Sequence, residues 1–580
     1  MKKQFQATHW FVVGLTLLSF ALSAYFSRQV FERLPHLEDE MAYIFQARAI
    51  AGGNFVVPSL DPSTSYWQPF VVDRDGVRFG KYTVGWPLQL AVGEVLGQSW
   101  VINAFFASLT VAVVYRLGAE IFNRDTGVIA ATLTAFSPAV VLLSASLMGH
   151  TSALFWTTLF MYAFWRIEKR RKVLRWGLLA GVALGFLIAS RPLTALAIAA
   201  PFVTWSLVGL VREIPHWGQI WRTLKPLLLL SVISLTFSLL VPLYNLQATG
   251  KPTDNLYLYV WDYDQVGFGE GYGRNTHTLE KGVRHMRFDL SLSAADLFGW
   301  QLGTVLDANG QLKPELHHQF TVEGNYYPII GISWILLPLG FIVIFRKQSH
   351  WVFLWFALGL AWLAFPFSFE QGRLITDPQF AWVCLIGLMI WVCAPLILLR
   401  DAQKVWVWML IGAAISLIIF QLAYWIGSQR YSTRYYFEGL TALAIISALP
   451  LAWVAQNVNR RALYVGLTIV TVGTFFIYTV PRIGALRGFN LINGQLLTEL
   501  EARRNGDQPV LVIINGTDVR WRAYATLMAQ TNPYLTSDIV AARASSESQR
   551  QQILDRFPDR QVIEMQGQEN SAWFIDDTAP

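Results

Sequence analysis

Apolar runs of about 20 residues alternate with polar segments along most of this 580-residue chain. A helix of that length crosses the hydrocarbon core of a membrane, so each run predicts one transmembrane helix. The runs predict about 13 crossings, near residues 10–28, 100–120, 126–145, 151–166, 176–190, 193–211, 227–245, 327–345, 351–367, 379–399, 405–427, 437–456 and 462–480. We therefore expect a polytopic α-helical membrane protein.

A short amphipathic helix is predicted within the first long polar segment, residues 31–98. Its apolar residues recur at helical spacing from Met41 to Ile50, and Gly52–Gly53 ends the pattern. Three acidic residues open it, namely Glu38, Asp39 and Glu40. Asp39 is well placed to be the N-cap. We expect this helix to lie along the membrane surface, with the carboxylates at its start.

The C-terminal residues 482–580 follow a different pattern. Short apolar runs at 510–514, 562–565 and 573–575 alternate with charged helical stretches at 496–504 and 545–555. This alternation predicts a small α/β domain of about 90 residues, large enough for a modest core. We therefore divide the chain into a membrane domain, 1–481, and an α/β domain, 482–580.

Composition agrees with a membrane protein, because 54% of the residues are hydrophobic and only 14% are charged. The net charge of +7 comes mostly from lysines and arginines in short loops, which indicates membrane topology and not nucleic-acid binding. The bias predicts a cytoplasmic N-terminus. With an odd number of crossings, the loops 31–98 and 246–325 and the α/β domain are then extracytoplasmic. Cys384 and Cys393 share one apolar run, and neither a disulfide nor a metal site is expected from them.

Asp39 and Lys81 are the main chemical candidates, because one outer loop carries both. A carboxylate can accept a proton from an attacking hydroxyl, and a cation can stabilise a departing phosphate. Adjacent carboxylates should also raise one another's pKa, which suits a base. The alternatives are helix capping for Asp39 and a surface lysine for Lys81. Two roles are open for Glu40: assisting Asp39, or favouring the helix N-terminus electrostatically.

Cationic and aromatic residues near other outer helix ends form a second set of candidates. Arg434 and Arg191 could bind a phosphate or anchor the chain at the interface, and His150 could bind a substrate or be a satisfied structural histidine. The glycine-rich segment 267–273 is interpreted as a mobile flap over the site, preceded by aromatic residues available for stacking on a substrate, namely Tyr257, Tyr259, Trp261 and Tyr263. His317–His318 lacks partners at metal-ligand spacing, so no metal site is expected there.

Several motifs resemble those of a known superfamily. Asp39–Glu40–Met41–Ala42–Tyr43 is similar to the first-loop motif of the GT-C glycosyltransferases, and within them of the lipid A aminoarabinose transferase and protein O-mannosyltransferase branch. The similarity continues at Ala47–Arg48, Gly53–Asn54, Pro58, Lys81, Trp86–Pro87, Gly118, Phe122, Gly127, Ser137–Pro138, Arg191–Pro192 and Arg434–Tyr435. It is strong in the first half of the chain and thin in the second.

The resemblance implies a GT-C-like fold and transfer of a sugar from a polyprenyl phosphate to an acceptor hydroxyl on the outer face of the inner (plasma) membrane. It implies that Asp39 is the general base, with Glu40 beside it, and that Lys81, Arg434 and Arg191 bind the donor phosphate. Substrate contacts are assigned to Tyr43, Tyr82, His150 and Tyr435. No cofactor and no divalent metal is indicated. The expected partners are the lipid-linked sugar, membrane lipids and a glycan, lipid or protein acceptor, and no nucleic acid.

A transporter or flippase of a lipid-linked glycan is the alternative function. Such a protein should carry ionisable residues within its spans, broken helices and an internal repeat. In this sequence the acidic residues cluster in outer loops and no repeat is found. The pattern therefore favours the enzyme.

Overall fold

A computed structural model describes residues 2–170, 172–301, 309, 331–346, 349–368, 373–428 and 430–575. Its helices in the first half are α1 Lys2–Gln29, α2 Glu38–Ala51, α3 Gly85–Val95, α4 Ile102–Ile121, α5 Arg124–Ala135, α6 Pro138–Ala145, α7 His150–Glu168, α8 Val173–Ser190, α9 Pro192–Glu213, α10 Trp217–Ser238, α11 Leu240–Thr249 and α12 Leu279–Asp296. The second half contains α13 Leu336–Phe345, α14 Ser349–Ala364, α15 Arg373–Thr376, α16 Pro378–Cys393, α17 Pro395–Leu398, α18 Ala402–Gln421, α19 Leu440–Asn457, α20 Arg460–Thr474, α21 Val480–Gly484, α22 Gln495–Arg503, α23 Ala525–Met528 and α24 Glu547–Arg556.

The prediction of a multi-span helical membrane protein is confirmed. Ten helical segments of the described chain are long and apolar enough to cross a membrane, and α5 with α6 makes an eleventh if this pair, bent by 51°, is one span. The two other predicted spans coincide with α7, of 19 residues, and with the shorter apolar helix Ser333–Phe345. Residues 327–330 of the latter prediction lie outside the described residues. The count of 13 crossings stays a prediction.

Glycines allow the closest helix contacts. Gly177, Gly181 and Gly185 lie four residues apart along α8 and face α10, where a Cβ at Gly177 would stand 2.7 Å from the carbonyl oxygen of Pro226. In lipid, helices associate through such close packing because no hydrophobic force drives them together. Gly127 fits α5 against α4 in the same way, since its Cβ would stand 2.6 Å from the carbonyl oxygen of Tyr115.

The first loop folds into α2 and a small antiparallel sheet. Its strands are β1 Val57–Pro58, β2 Val71–Arg74 and β3 Val77–Gly80, in the order β1-β3-β2. Lys81 follows β3 directly, and α2 packs against α3. The sheet thereby brings Lys81 back towards the acidic start of α2.

The predicted C-terminal α/β unit is present, with one strand more than the apolar runs indicated. Its strands are β4 Val510–Asn515, β5 Ile539–Ala544, β6 Gln561–Gln568 and β7 Ser571–Phe574, in the order β5-β4-β6-β7. β4 is parallel to β5 and β6, and β7 is antiparallel to β6. The sheet packs on the first loop, because Met41 of α2 and Tyr66 of that loop belong to its two apolar cores.

Candidate functional site

The start of α2 differs from the prediction in its cap. Leu37, in an extended conformation, is the N-cap residue, and Asp39 is the second residue of the helix. The Glu40 carboxylate reaches back and accepts hydrogen bonds from the backbone amides of His36 (2.6 Å) and Leu37 (3.3 Å). The assignment of Asp39 as N-cap is therefore wrong, since Glu40 satisfies these amides. The predicted end at Gly52 is confirmed, because Gly52 is the C-cap residue.

A cavity of about 700 Å³, called the main cavity below, lies between the first loop and the neighbouring helix ends. Eight of the nine predicted site residues line it: Asp39, Tyr43, Lys81, Tyr82, His150, Arg191, Arg434 and Tyr435. These residues are spread over nearly 400 positions of the sequence, so the fold alone brings them together.

Glu40 is the ninth, and its side chain does not line the main cavity. Its fully buried carboxylate also accepts the backbone amide of Leu147 at 3.0 Å. Burial raises the pKa of Glu40 to about 7, against the lowering effect of these backbone amides, and Asp39 adds to the rise. Through these contacts Glu40 satisfies backbone amides before the N-terminus of α2 and at Leu147.

Asp39 accepts a hydrogen bond from the Tyr82 hydroxyl at 2.6 Å and lies 3.6 Å from an amino group of Arg434. Burial alone would raise the pKa of Asp39, but Arg434, Tyr82 and Lys81 together hold it below its ordinary value. The expected rise from the adjacent carboxylates is therefore wrong for Asp39. Its carboxylate is ionised at neutral pH and points at the cations of the cavity.

Lys81 is buried among aromatic rings and paired with a residue that the sequence analysis missed. Its Nζ lies 3.2 Å from Asp264 and within 4.5 Å of the ring centres of Phe70 and Trp261. Burial lowers the pKa of Lys81, and Asp264 and Asp39 oppose that change. Asp264 in turn accepts hydrogen bonds from Tyr424 and Trp425, both at 2.9 Å.

Arg191 and His150 share a second buried carboxylate that the sequence analysis also missed. Nε of Arg191 lies 3.1 Å from Glu438, and Nδ1 of His150 lies 3.5 Å from the same oxygen. Arg191 and Nε2 of His150 are 3.2 Å apart. Glu438 follows Arg434 by four residues in the 3-10 helical segment Arg434–Gly439, and no local pattern marks it as the partner of Arg191. This group fixes Arg191 at the cavity wall.

The glycine-rich segment 267–273 lies beside the main cavity and is tied to its neighbours. Backbone amides of Gly267 and Gly273 donate to the carbonyls of Ala423 and Tyr263, at 2.8 and 2.9 Å. Two of the four predicted aromatic residues, Tyr257 and Trp261, line the cavity.

His317–His318 and the end of loop 246–325 lie outside the described residues. Among the described residues no group of three or more His, Cys, Asp or Glu could hold a metal ion.

An apolar groove of about 410 Å³ adjoins the main cavity between membrane helices. Leu193 and Val266 line both spaces, and Leu385, Ile386, Met389 and Ile390 of α16 face Ile419 and Phe420 of α18 across the groove. A charged cavity therefore adjoins an apolar groove.

The chain has measurable similarity to known proteins. A family model of dolichyl-phosphate-mannose-protein mannosyltransferases matches residues 88–242. No curated protein matches by sequence. The solved structure of ArnT from Cupriavidus metallidurans bound to undecaprenyl phosphate is similar with 12% identity and a TM-score of 0.53, over 96% of this chain and 90% of that one.

Two further solved structures are similar at lower scores. The apo state of the same ArnT has 12% identity and a TM-score of 0.48, over 97% of this chain and 93% of that one. The archaeal oligosaccharyltransferase AglB from Archaeoglobus fulgidus was solved in complex with an inhibitory peptide and a dolichol-phosphate. It has 14% identity and a TM-score of 0.44, over 96% of this chain and 70% of that one. The similarity to the ArnT complex extends over nearly the whole fold.

Proposed function

Since the chain has the fold of the GT-C membrane glycosyltransferases and resembles their aminoarabinose-transferase and protein-mannosyltransferase branch, we propose that it transfers a sugar from a polyprenyl phosphate to an acceptor hydroxyl. The observation that carries the proposal is the ionised carboxylate of Asp39, which lies 3.6 Å from Arg434 on the wall of one large cavity. A base and a phosphate-binding cation are thus adjacent at the place where the two substrates would meet.

The donor would lie across the two adjoining spaces. Its headgroup occupies the main cavity, where Arg434, Arg191 and Lys81 supply positive charge, and its isoprenoid chain occupies the apolar groove along α16 and α18. Burial of an apolar chain in an apolar groove is favourable, and a guanidinium matches phosphate geometry. The undecaprenyl phosphate in the similar ArnT structure belongs to the same ligand class.

The reaction is a single displacement that inverts the anomeric carbon. The acceptor oxygen forms a bond to that carbon on one face while the bond from the carbon to the phosphate oxygen breaks on the other. The bonding electron pair leaves with the polyprenyl phosphate, where the cations stabilise it. The acceptor proton moves to Asp39, which acts as general base.

Arg434 would couple donor binding to the strength of this base. Burial raises the pKa of Asp39, and Arg434 is the largest of the influences that lower it. A bound phosphate competes with Asp39 for Arg434 and so weakens that lowering effect. The pKa of Asp39 then rises when the donor is in place, which makes the carboxylate a better proton acceptor.

The orientation proposed for this reaction follows from the arginine and lysine bias. With the basic short loops in the cytoplasm, the main cavity and the C-terminal α/β unit face the outer side of the plasma membrane. A polyprenyl-phosphate sugar presented on that side would meet Asp39 at the membrane surface.

A donor panel tests the proposal. The purified protein is incubated with a series of polyprenyl-phosphate sugars and an alcohol acceptor, and the lipid products are separated. We expect at least one donor to lose its sugar, Arg434→Ala to abolish that loss, and Arg487→Ala, an exposed arginine away from the cavity, to retain it. If vesicles containing the protein only move intact lipid-linked sugar between leaflets, the flippase alternative is correct instead.

A further inference from the structure

Two more cavities continue the main cavity towards the C-terminal sheet. The middle cavity, of about 590 Å³, shares Glu38, Phe70 and Trp261 with the main cavity. The outer pocket, of about 480 Å³, shares Thr64, Trp67 and Trp521 with the middle cavity. Three adjoining cavities, together called the groove below, therefore lie between Glu38, the residue next to Asp39, and the surface where the α/β unit meets the first loop.

Aromatic rings line this groove along its whole length. Trp261 and Tyr259 lie at its inner part, and Trp67 and Trp521 lie where the middle cavity meets the outer pocket. Trp67 is 50% exposed, although a large apolar ring would normally be buried. Exposed, rigid, flat rings in a groove provide stacking surfaces for the apolar faces of sugar rings.

The outer pocket is strongly cationic. Its described lining includes Arg520, Arg522 and Arg543 and no carboxylate. Arg522 is paired with Glu38 at 3.2 Å, and Arg543 donates to the carbonyl of Val519 at 3.3 Å. Arg520 is exposed at the pocket. Guanidinium groups bind carboxylates and phosphates through paired hydrogen bonds, so this end of the groove is suited to an anionic group.

We propose that this groove binds the acceptor and that the acceptor is an anionic carbohydrate. Its sugar rings stack on Trp67 and Trp521, its carboxylate or phosphate group binds at Arg520 and Arg543, and its reacting hydroxyl reaches Asp39. Only the last of these contacts, between the reacting hydroxyl and Asp39, rests on the proposed function. A peptide is the less suitable occupant, because the stacking surfaces and the clustered arginines match a charged sugar chain.

Equilibrium binding to the full-length purified protein tests the proposal without any turnover. The probes are an oligogalacturonate of four units, neutral maltotetraose, glucose 6-phosphate and a tetraglutamate peptide. We expect the two anionic sugars to bind more tightly than maltotetraose, and Arg520→Ala to weaken their binding at least about tenfold. Arg520→Lys should restore part of the affinity, and Arg487→Ala should leave it unchanged.

Each outcome of these binding measurements either supports or contradicts the proposed acceptor site. Equal binding of anionic and neutral tetrasaccharides, unchanged affinity in Arg520→Ala, or preference for the peptide would overturn the proposal. An unfolding temperature equal to that of the parent protein verifies that Arg520→Ala is folded. Donor consumption is measured on the same preparation. Arginine-dependent sugar binding without donor consumption would contradict the transferase function and support this binding site. Donor consumption without arginine-dependent sugar binding would contradict this binding site and support the transferase function.

Discussion

Asp39 illustrates how far a short motif determines the properties of a residue. The acidic triplet places a carboxylate at the start of α2, but its protonation depends on residues far away in sequence. Burial raises the pKa of Asp39, and Arg434, Tyr82 and Lys81 together more than offset that rise. The neighbouring carboxylates alone would have predicted a raised pKa for Asp39. The ionised state of Asp39 is therefore a property of the fold.

The substitution Tyr82→Phe tests this control of protonation. Since the Tyr82 hydroxyl lowers the pKa of Asp39 through a 2.6 Å hydrogen bond, its removal raises that pKa. A base loses activity as the pH falls through its pKa, so the acid limb of the kcat/KM profile should move to higher pH. The acid limb of the parent protein should lie at lower pH than that of Tyr82→Phe.

Tyr43→Phe is the matched control, because Tyr43 also lines the main cavity and packs against Tyr82 with ring centres 4.5 Å apart. Its acid limb should stay where the parent protein has it, whatever happens to the rate. An unshifted limb in Tyr82→Phe would contradict the assignment of this limb to Asp39.

The sequence predicted cations and carboxylates on outer loops but not their pairing. Lys81, Arg191 and Arg434 line one cavity, because the end of β3, the start of α9 and the segment before α19 meet there. Asp264 and Glu438, which fix Lys81 and Arg191, went unnoticed. Nothing local marks a carboxylate as the partner of a cation about 180 or 250 residues away, since only the packed fold desolvates the pair.

At the scale of elements, α2 is held by the first loop and by the C-terminal unit together. Nε of Arg48 lies 3.0 Å from Glu94 of α3, and another nitrogen of Arg48 donates to the carbonyl of Ala529 at 2.5 Å. At the other end, Glu38 pairs with Arg522. The tail thus supports the helix that carries Asp39, a role that its sequence did not indicate.

The substitution Arg48→Ala should loosen this support. It removes one partly buried ion pair and one hydrogen bond, which together stabilise the folded state by about 1–3 kcal/mol. We expect a lower unfolding temperature in detergent solution and faster proteolysis of the C-terminal unit. Arg74→Ala is the control, because the Arg74–Asp75 pair is exposed and contributes little. Equal effects of both substitutions would show that Arg48 has no special role.

The strands of the C-terminal α/β unit also show what the sequence alone could not predict. Runs of apolar residues revealed β4, β6 and β7, whereas β5 was missed because its sequence Ile539–Ala544 contains three alanines and Arg543. Its partner β4, buried along most of its length, determines that β5 is a strand. Weak local preference is overridden by pairing in a parallel sheet.

At the scale of the whole molecule, the main cavity and the basic short loops lie at opposite ends of the helix bundle. α7 begins at His150 on the main cavity and ends at Glu168, which accepts a hydrogen bond from Trp406 at 2.6 Å. α9 likewise starts next to Arg191 and ends at Glu213, which pairs with Arg170 at 2.8 Å. The basic short loops therefore meet at the end of the bundle away from the cavity. This arrangement agrees with a site on one membrane face and a positively charged opposite face.

Single-turnover sugar transfer by Asp39→Asn tests the central claim most directly. With a donor from the panel bound at saturation, the rate should fall by about 10²–10⁴-fold, because the amide cannot accept the acceptor proton. Donor affinity should persist, and Asp254→Asn, a second aspartate of the main cavity, should react at close to the parent rate. An Asp39→Asn protein that transfers sugar as fast as the parent protein would contradict the account.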